Sequence, residues 1–115
     1  MRLFVYGSLL FGEIHNARLG GSRLLGEAHT EPRYTLVDLG AYPALLDEGT
    51  TSVSGELYEV TADVLAALDE FEGHPEDYCR SPVRLLNGEC AEAYVLPRAR
   101  APATRVIVSG SWRAR

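Results

Sequence analysis

Apolar positions in this chain come in short runs that glycine, proline and charged residues keep interrupting. Residues 3–6 are almost wholly apolar and stop at Gly7, the pattern of a strand buried on both faces. Gly7 and Gly12 bracket a loop. A short helical turn is expected over 13–19, and Gly20-Gly21 signals a further turn. Residues 23–31 read as a strand ended by Pro32, and 34–37 as a shorter one. Gly40 and Pro43 mark an irregular stretch before Ala44-Leu45-Leu46, after which Asp47-Glu48-Gly49 is expected to turn the chain. Residues 52–60 read as a long strand, with Gly55 at a bulge or bend. Residues 78–86 and 91–96 flank Asn87-Gly88, the strongest hairpin signal present, and 104–109 form the last expected strand. About seven short strands and one helix predict an α+β fold, a small, mainly antiparallel β-barrel with a flanking helix. A doubly wound parallel sheet is excluded, because it needs a helix after nearly every strand. No repeat or linker divides the chain, so residues 1–115 read as one domain.

The helix lies between Thr61, an N-cap candidate, and the stop signals Gly73 and Pro75. At about 100° per residue, Val64, Leu65, Leu68 and Phe71 fill one apolar sector that must face the core. Glu72 falls inside that sector, Asp69 lies at its edge, and Glu70 points well away. A carboxylate on the core side is costly unless it is paired, hydrogen-bonded or protonated. Glu72 is therefore a structural partner, a functional acid/base with a raised pKa, or a helix-end side chain that swings into water.

Composition narrows the choices. A hydrophobic fraction of 46% and a charged fraction of 23% are ordinary for a folded globular domain and argue against disorder. Eleven basic against sixteen acidic residues leave a net charge of −5, which repels phosphate backbones and makes nucleic acid a poor partner. Arg98, Arg100, Arg105, Arg113 and Arg115 crowd the C-terminal end, which reads as a solvated basic tail. Cys79 and Cys90 make no disulfide framework and have no metal-ligand spacing. A cross-strand pair is geometrically conceivable, but two reduced, half-buried thiols are expected. The N-terminal apolar run is too short for a signal peptide, and no stretch approaches the roughly 18 apolar residues of a membrane span, so the cytoplasm is the expected compartment. Oligomeric state is not readable.

Tyr6-Gly7-Ser8-Leu9 directly follows the first strand. Gly7 lets the backbone turn tightly and leaves neighbouring N–H groups uncovered, so the loop is either a plain strand-ending turn or a concavity for an anion or oxyanion. Ser8 is not expected to be a nucleophile. The histidines are His15, His29 and His74, and none forms a nucleophile elbow or a metal-ligand spacing, although His74 is near enough to Glu72 to enter the same pocket. No metal or cofactor is expected.

Five segments in register carry a resemblance. Leu3-Phe4-Val5-Tyr6-Gly7-Ser8-Leu9 resembles the opening of gamma-glutamylcyclotransferase-like proteins, which are related to gamma-glutamylamine cyclotransferase and avirulence-induced-gene-2-like proteins. Val53-Ser54-Gly55-Glu56-Leu57-Tyr58-Glu59-Val60 is similar to the family's Gly-x-x-Tyr strand, and Leu68-Asp69-Glu70-Phe71-Glu72-Gly73 to the helix end bearing its catalytic glutamate. Tyr78-Cys79-Arg80 matches a Tyr-x-Arg strand start. Ser109-Gly110-Ser111-Trp112 resembles a closing Ser-Gly-Asp-Trp in which Ser111 replaces the aspartate.

The resemblance implies a small antiparallel barrel with flanking helices. It also implies a small-molecule gamma-glutamyl substrate whose own α-amine attacks its side-chain carbonyl, releasing 5-oxoproline and a free amine. The nucleophile belongs to the substrate, which accounts for the missing Ser, Cys or metal constellation. Glu72 would be the general acid/base, an effect worth roughly 10²- to 10⁴-fold. The amides of Tyr6, Gly7, Ser8 and Leu9 would hold the α-carboxylate, the oxyanion, or both. Tyr78, two residues from Arg80 and so on the same strand face, either bonds Glu72 or the substrate or is a core tyrosine. Tyr34, Pro43 and Tyr58 read as barrel packing. The leaving-group side is expected on loops 12–22 and 97–104. The alternative reading keeps the fold as a binding or regulatory module for a gamma-glutamyl-like acidic metabolite without turnover.

Overall fold

A computed structural model of the chain describes residues 1–101 and 105–115. Eight strands form one sheet: β1 (Arg2–Val5), β2 (Arg23–His29), β3 (Tyr34–Asp38), β4 (Pro43–Thr51), β5 (Ser54–Glu59), β6 (Cys79–Arg84), β7 (Cys90–Val95) and β8 (Arg105–Val106). The α-helix α1 spans Ala62–Glu72, and 3₁₀ turns occur at Asn16–Leu19, Arg98–Arg100 and Trp112–Ala114. The sheet runs β2-β5-β1-β7-β4-β3-β8, with β6 paired to β7 off this path. Pairing is mainly antiparallel, but β7 runs parallel to both β1 and β4. The path does not close on itself, so the expected α+β architecture is present and "barrel" describes it only loosely.

Strand β1 divides the core. Phe4 and Tyr6 point into an inner cluster with Leu36, Leu45, Val53, Ala93 and Trp112. Leu3 and Val5 point the other way, beneath α1, against Leu65, Leu68, Tyr58 and Val60. This alternation buries both faces, as the unbroken apolar run requires. Thr61 caps α1 by accepting a hydrogen bond from the Val64 N–H at 3.2 Å. Gly73 ends it at φ 70°. The β6–β7 hairpin turns at Asn87-Gly88, where Gly88 takes φ 87° and Asn87 Oδ1 accepts from the Glu89 N–H at 2.9 Å.

Several local expectations need correction. Asp47-Glu48-Gly49 does not turn the chain. Thr35 pairs with Leu46 and Tyr34 with Thr51, so residues 47–50 bulge outward and β4 continues in the same direction. Thr35 Oγ1 fastens this bulge by donating to the Glu48 carbonyl at 2.6 Å. Gly55 is not a bulge; it pairs in register with Ala28 of β2, and the irregularity lies further along the ladder, between Leu24 and Gly26 opposite Tyr58 and Leu57. A Cβ at Gly55 would instead collide with the Val5 carbonyl oxygen and approach the Phe4 ring to 2.7 Å. The last strand pairs with β3 only at Arg105 and Val106, and the expected start at Thr104 lies outside the described residues. Cys79 and Cys90 sit at opposite ends of the β6–β7 ladder, opposite Val95 and Arg84, so no cross-strand bond joins them. Both are free, and Cys90 is exposed rather than half-buried.

The basic C-terminal end is not merely solvated. Arg100 pairs with Asp77 at 2.8 Å, Arg105 with Asp38 at 2.9 Å, and the Arg115 guanidinium lies 3.5 Å from the centre of the Trp112 ring. Burial of Trp112 draws the tail back onto the body of the protein.

Because two fixed groups occupy the space of a Cβ at Gly55, the Gly55→Ala variant is expected to lose about 3 kcal/mol of stability. Urea unfolding checks this, and a loss below 1 kcal/mol would show that β1 and β5 can move apart freely.

Candidate functional site

Strand β6 occupies one edge of β7 along its length, so β1 and β4 must share the other. Leu3 of β1 lies beside Glu92, and Leu45 of β4 lies beside Val95. Where β7 changes neighbour, the Tyr6 hydroxyl joins the three strands. It donates to the Tyr94 carbonyl at 2.6 Å and accepts from the Leu45 N–H at 3.2 Å. Burial, helped by the nearby Tyr78 and Glu72, pushes this hydroxyl well above the usual tyrosine range and keeps it neutral.

A cavity of about 540 Å³ opens at this junction, a size suited to a small molecule. Tyr6, Gly7, Ser8, Leu9, Glu72 and Tyr78, the six site residues expected from the sequence, all line it. Pro43 lines it too, against expectation, whereas Tyr34 and Tyr58 belong to the packing.

The loop after β1 presents its backbone. Gly7 does not need a positive φ; it is required because Pro43 Cδ would stand 2.6 Å from a Cβ there. The Gly7 carbonyl accepts from the Leu10 N–H at 3.0 Å and the Ser8 carbonyl from the His15 N–H at 2.9 Å. Among the described residues, the N–H groups of Gly7, Ser8 and Leu9 have no acceptor. Adjacent free amides beside a cavity form a nest for negative charge.

Glu72 is the last residue of α1. After Gly73 the chain doubles back, and the Tyr78 N–H donates to the Glu72 carbonyl at 3.2 Å, which brings the Tyr78 ring beside the carboxylate. The Tyr78 hydroxyl donates to the Pro43 carbonyl at 3.0 Å rather than to Glu72. Among the described residues, the Glu72 carboxylate has no hydrogen-bond or ion-pair partner. Desolvation raises its pKa from 4.5 to about 7, against a smaller opposing pull from the Arg18 guanidinium. Burial and the Glu72 charge together push the Tyr78 hydroxyl upward.

One turn earlier, Asp69 has the opposite surroundings. It accepts from Arg80 at 2.9 and 3.1 Å and from the Tyr94 hydroxyl at 2.6 Å, while Arg80 also reaches Glu92 at 2.7 Å. Burial works against the Asp69 charge, but these hydrogen bonds outweigh it and hold its carboxyl below the usual range. Arg80 therefore braces the helix end and does not enter the cavity. His74 also turns away: its Nδ1 accepts from the Arg80 N–H at 2.9 Å.

Other groups were not legible as site residues. His15 lines the cavity with its ring 5.0 Å from Phe71, and the Arg18 guanidinium lies 3.8 Å from the centre of that same ring. Their three-residue spacing in a helical turn was the available signal. Tyr42 and Asp77 also line the cavity and carried no signal in the sequence. Of the expected leaving-group loops, 12–22 contributes His15 and 97–104 contributes Arg100, while residues 102–104 lie outside the described residues. Among the described residues, no group of three or more His, Cys, Asp or Glu could hold a metal ion, and no helix is long and apolar enough to cross a membrane.

Fold and site together define an α+β protein with a small-molecule cavity, in which one unpaired carboxylate shares the wall with free backbone amides. The chain belongs to the gamma-glutamyl cyclotransferase, AIG2-like family, whose model matches residues 3–114. It is 33% identical over 112 residues to the gamma-glutamylcyclotransferase family protein YtfP of Escherichia coli, covering 97% of this chain and 96% of that one. The solution structure of YtfP superposes with a TM-score of 0.76 over the same shares. A Vibrio cholerae relative is 48% identical over 81 residues, 70% of each chain. The crystal structure of an AIG2-like protein from Mus musculus, 27% identical, superposes with a TM-score of 0.71 over 86% of this chain and 77% of that one.

The raised Glu72 pKa has a sign that unfolding can test. A carboxyl that binds its proton more tightly when folded favours the folded state below pH 4.5, and that contribution is lost as pH rises to about 7. A displacement of this size corresponds to about 3 kcal/mol. Glu72→Gln mimics the protonated acid, so it is expected to match the wild type near pH 4 and to exceed its stability by about 2–3 kcal/mol at pH 8. Urea unfolding at pH 4, 6 and 8 measures the difference, and a difference independent of pH contradicts the desolvated carboxylate.

Proposed function

We propose that the protein is a cyclotransferase acting on a gamma-glutamyl amide, with Glu72 as its general acid/base. The observation that carries this reading is the unpaired, desolvated Glu72 carboxylate in a cavity also lined by Gly7, Ser8 and Leu9, whose backbone amides are free among the described residues. A general base operating near neutral pH needs a pKa close to 7.

In the proposed reaction, Glu72 accepts a proton from the substrate's α-ammonium. The freed amine attacks the γ-carbonyl carbon, forming the ring C–N bond and a tetrahedral oxyanion. The amides of Gly7, Ser8 and Leu9 stabilise that oxyanion, the α-carboxylate, or both. Collapse breaks the original amide C–N bond as Glu72 returns that proton to the leaving amine. Glu72 then carries the ring nitrogen's second proton the same way, so the amine departs as an ammonium ion and Glu72 ends ionised. The products are 5-oxoproline and a free amine, with no water consumed. Holding the glutamyl chain folded back supplies the remaining advantage, since well-aligned intramolecular attack is worth about 7–11 kcal/mol. Tyr6 shapes the cavity through its ring, its hydroxyl being engaged by the backbone. Tyr78 forms the wall beside Glu72.

Incubation with a panel of gamma-glutamyl amides, followed by mass spectrometry of 5-oxoproline, tests the proposal. The wild type is expected to release 5-oxoproline and Glu72→Gln to release at least 10²-fold less. The acidic limb of kcat/KM is expected to fall with an apparent pKa near 7, because only ionised Glu72 accepts the proton. Release that survives in Glu72→Gln removes Glu72 from the mechanism. An inactive wild type favours the non-catalytic binding module.

A further inference from the structure

Glu56 is the most buried charged residue described, and the proposed chemistry does not use it. It lies on β5, and its Oε1 accepts a hydrogen bond from the Phe11 N–H at 2.7 Å. Phe11 belongs to the segment that leaves the Gly7, Ser8 and Leu9 amides. Leu9 and Leu10 are buried, but the Phe11 and Ile14 side chains are largely exposed, so apolar packing holds the near half of this loop and not the far half. Polar contacts hold the rest. Asn16 Nδ2 donates to the Leu9 carbonyl at 2.8 Å, and the Arg113 guanidinium donates to the Phe11 carbonyl.

Arg113 completes the arrangement from the far end of the chain. Its guanidinium lies 3.6 Å from Glu56 Oε2 and 3.7 Å from Glu13 Oε2. The Phe11 peptide is thus gripped on both sides, its N–H by Glu56 and its C=O by Arg113, while the two gripping side chains attract each other. Arg113 reaches this position because Trp112 is buried in the inner core and Gly110, at φ 71°, passes so close to Ser52 that a Cβ would strike its carbonyl. The Gly110 carbonyl also accepts from the Ser54 N–H at 2.8 Å, two residues before Glu56. The C-terminal Ser-Gly-Ser-Trp-Arg segment is thereby fastened to the strand that carries Glu56.

We infer that Glu56 and Arg113 are positioning residues that clamp the Phe11 peptide and thereby fix the free Gly7, Ser8 and Leu9 amides against the cavity. The clamp is a property of the fold; its effect on turnover rests on the proposed cyclotransferase reaction. Amides that stabilise developing charge must sit within a fraction of an ångström of it, and a displacement of about 1 Å costs up to 10²-fold in rate. The grip acts through whatever charge these amides hold, on the chemical step where it is the oxyanion and on binding where it is the α-carboxylate.

Two readouts separate the clamp from the chemistry. Arg113 is half exposed, so Arg113→Ala is expected to fold. In its amide NMR spectrum the Gly7, Ser8, Leu9 and Phe11 resonances are expected to shift, while those of Ala91 and Ala93 in the far hairpin strand stay in place. Glu56→Gln, which keeps an acceptor for the Phe11 N–H but loses the charge facing Arg113, is expected to shift the same resonances less. In the 5-oxoproline assay, Arg113→Ala is expected to lower kcat/KM roughly tenfold, and Arg113→Lys to recover part of the loss. Gly7, Ser8 and Leu9 resonances that coincide with the wild type in Arg113→Ala overturn the clamp. Shifted resonances in a protein whose wild type releases no 5-oxoproline leave the clamp standing and reject the cyclotransferase reading instead.

Discussion

The Tyr6 hydroxyl, held between the Tyr94 carbonyl and the Leu45 N–H, is the contact on which the rest of the site depends. Strand β7 exchanges one neighbour for another at this point, and a sheet that does so leaves backbone groups to satisfy. One buried hydroxyl, as donor and acceptor together, serves a group on each of two strands. Leaving either unsatisfied would cost about 1–3 kcal/mol. The same junction sends the chain out of β1 into the Gly7 loop and brings Pro43 of β4 so close that no side chain fits at position 7. The cavity is thus the space left where two strands share one edge of a third.

The helix end shows how environment divides two carboxylates of similar chemistry. Asp69 and Glu72 are three residues apart on α1. Asp69 takes both available strong donors, the Arg80 guanidinium and the Tyr94 hydroxyl, and its proton affinity falls. Glu72 receives neither, faces an apolar and aromatic wall, and its proton affinity rises. The Asp69–Arg80–Glu92 network also keeps the last turn of α1 on β6 and β7. The charge that stays ionised therefore anchors the element carrying the group poised to gain and lose a proton.

Glycines that looked alike in sequence do different work. Gly73 and Gly88 need a left-handed backbone at a helix end and a hairpin tip. Gly7 and Gly55 adopt ordinary angles and are needed because another part of the chain comes too near, Pro43 in one case and the Val5 carbonyl in the other. A local reading treats each as a bend. The physical reason at Gly7 and Gly55 is close approach between segments far apart in sequence, which sequence alone does not display.

Local order carried much of the fold. Helix α1 with its Thr61 cap and Gly73 stop, the Asn87-Gly88 hairpin, the doubly buried first strand and the inward aim of Glu72 all follow from periodicity and turn chemistry, which act over a few residues. The sequence by itself also picked out the Tyr6, Gly7, Ser8 and Leu9 loop and Tyr78 as neighbours of Glu72, through motifs held in register. Tertiary structure decided the rest. It ran β4 straight through Asp47-Glu48-Gly49, turned His74 away, gave Arg80 to Asp69, and drew Arg113 across the whole chain to Phe11 and Glu56. Each of these depends on a strand pairing, hydrogen bond or charge supplied by another segment that folding brings alongside. Such energies exist only once the chain has folded, so no spacing along the sequence records them.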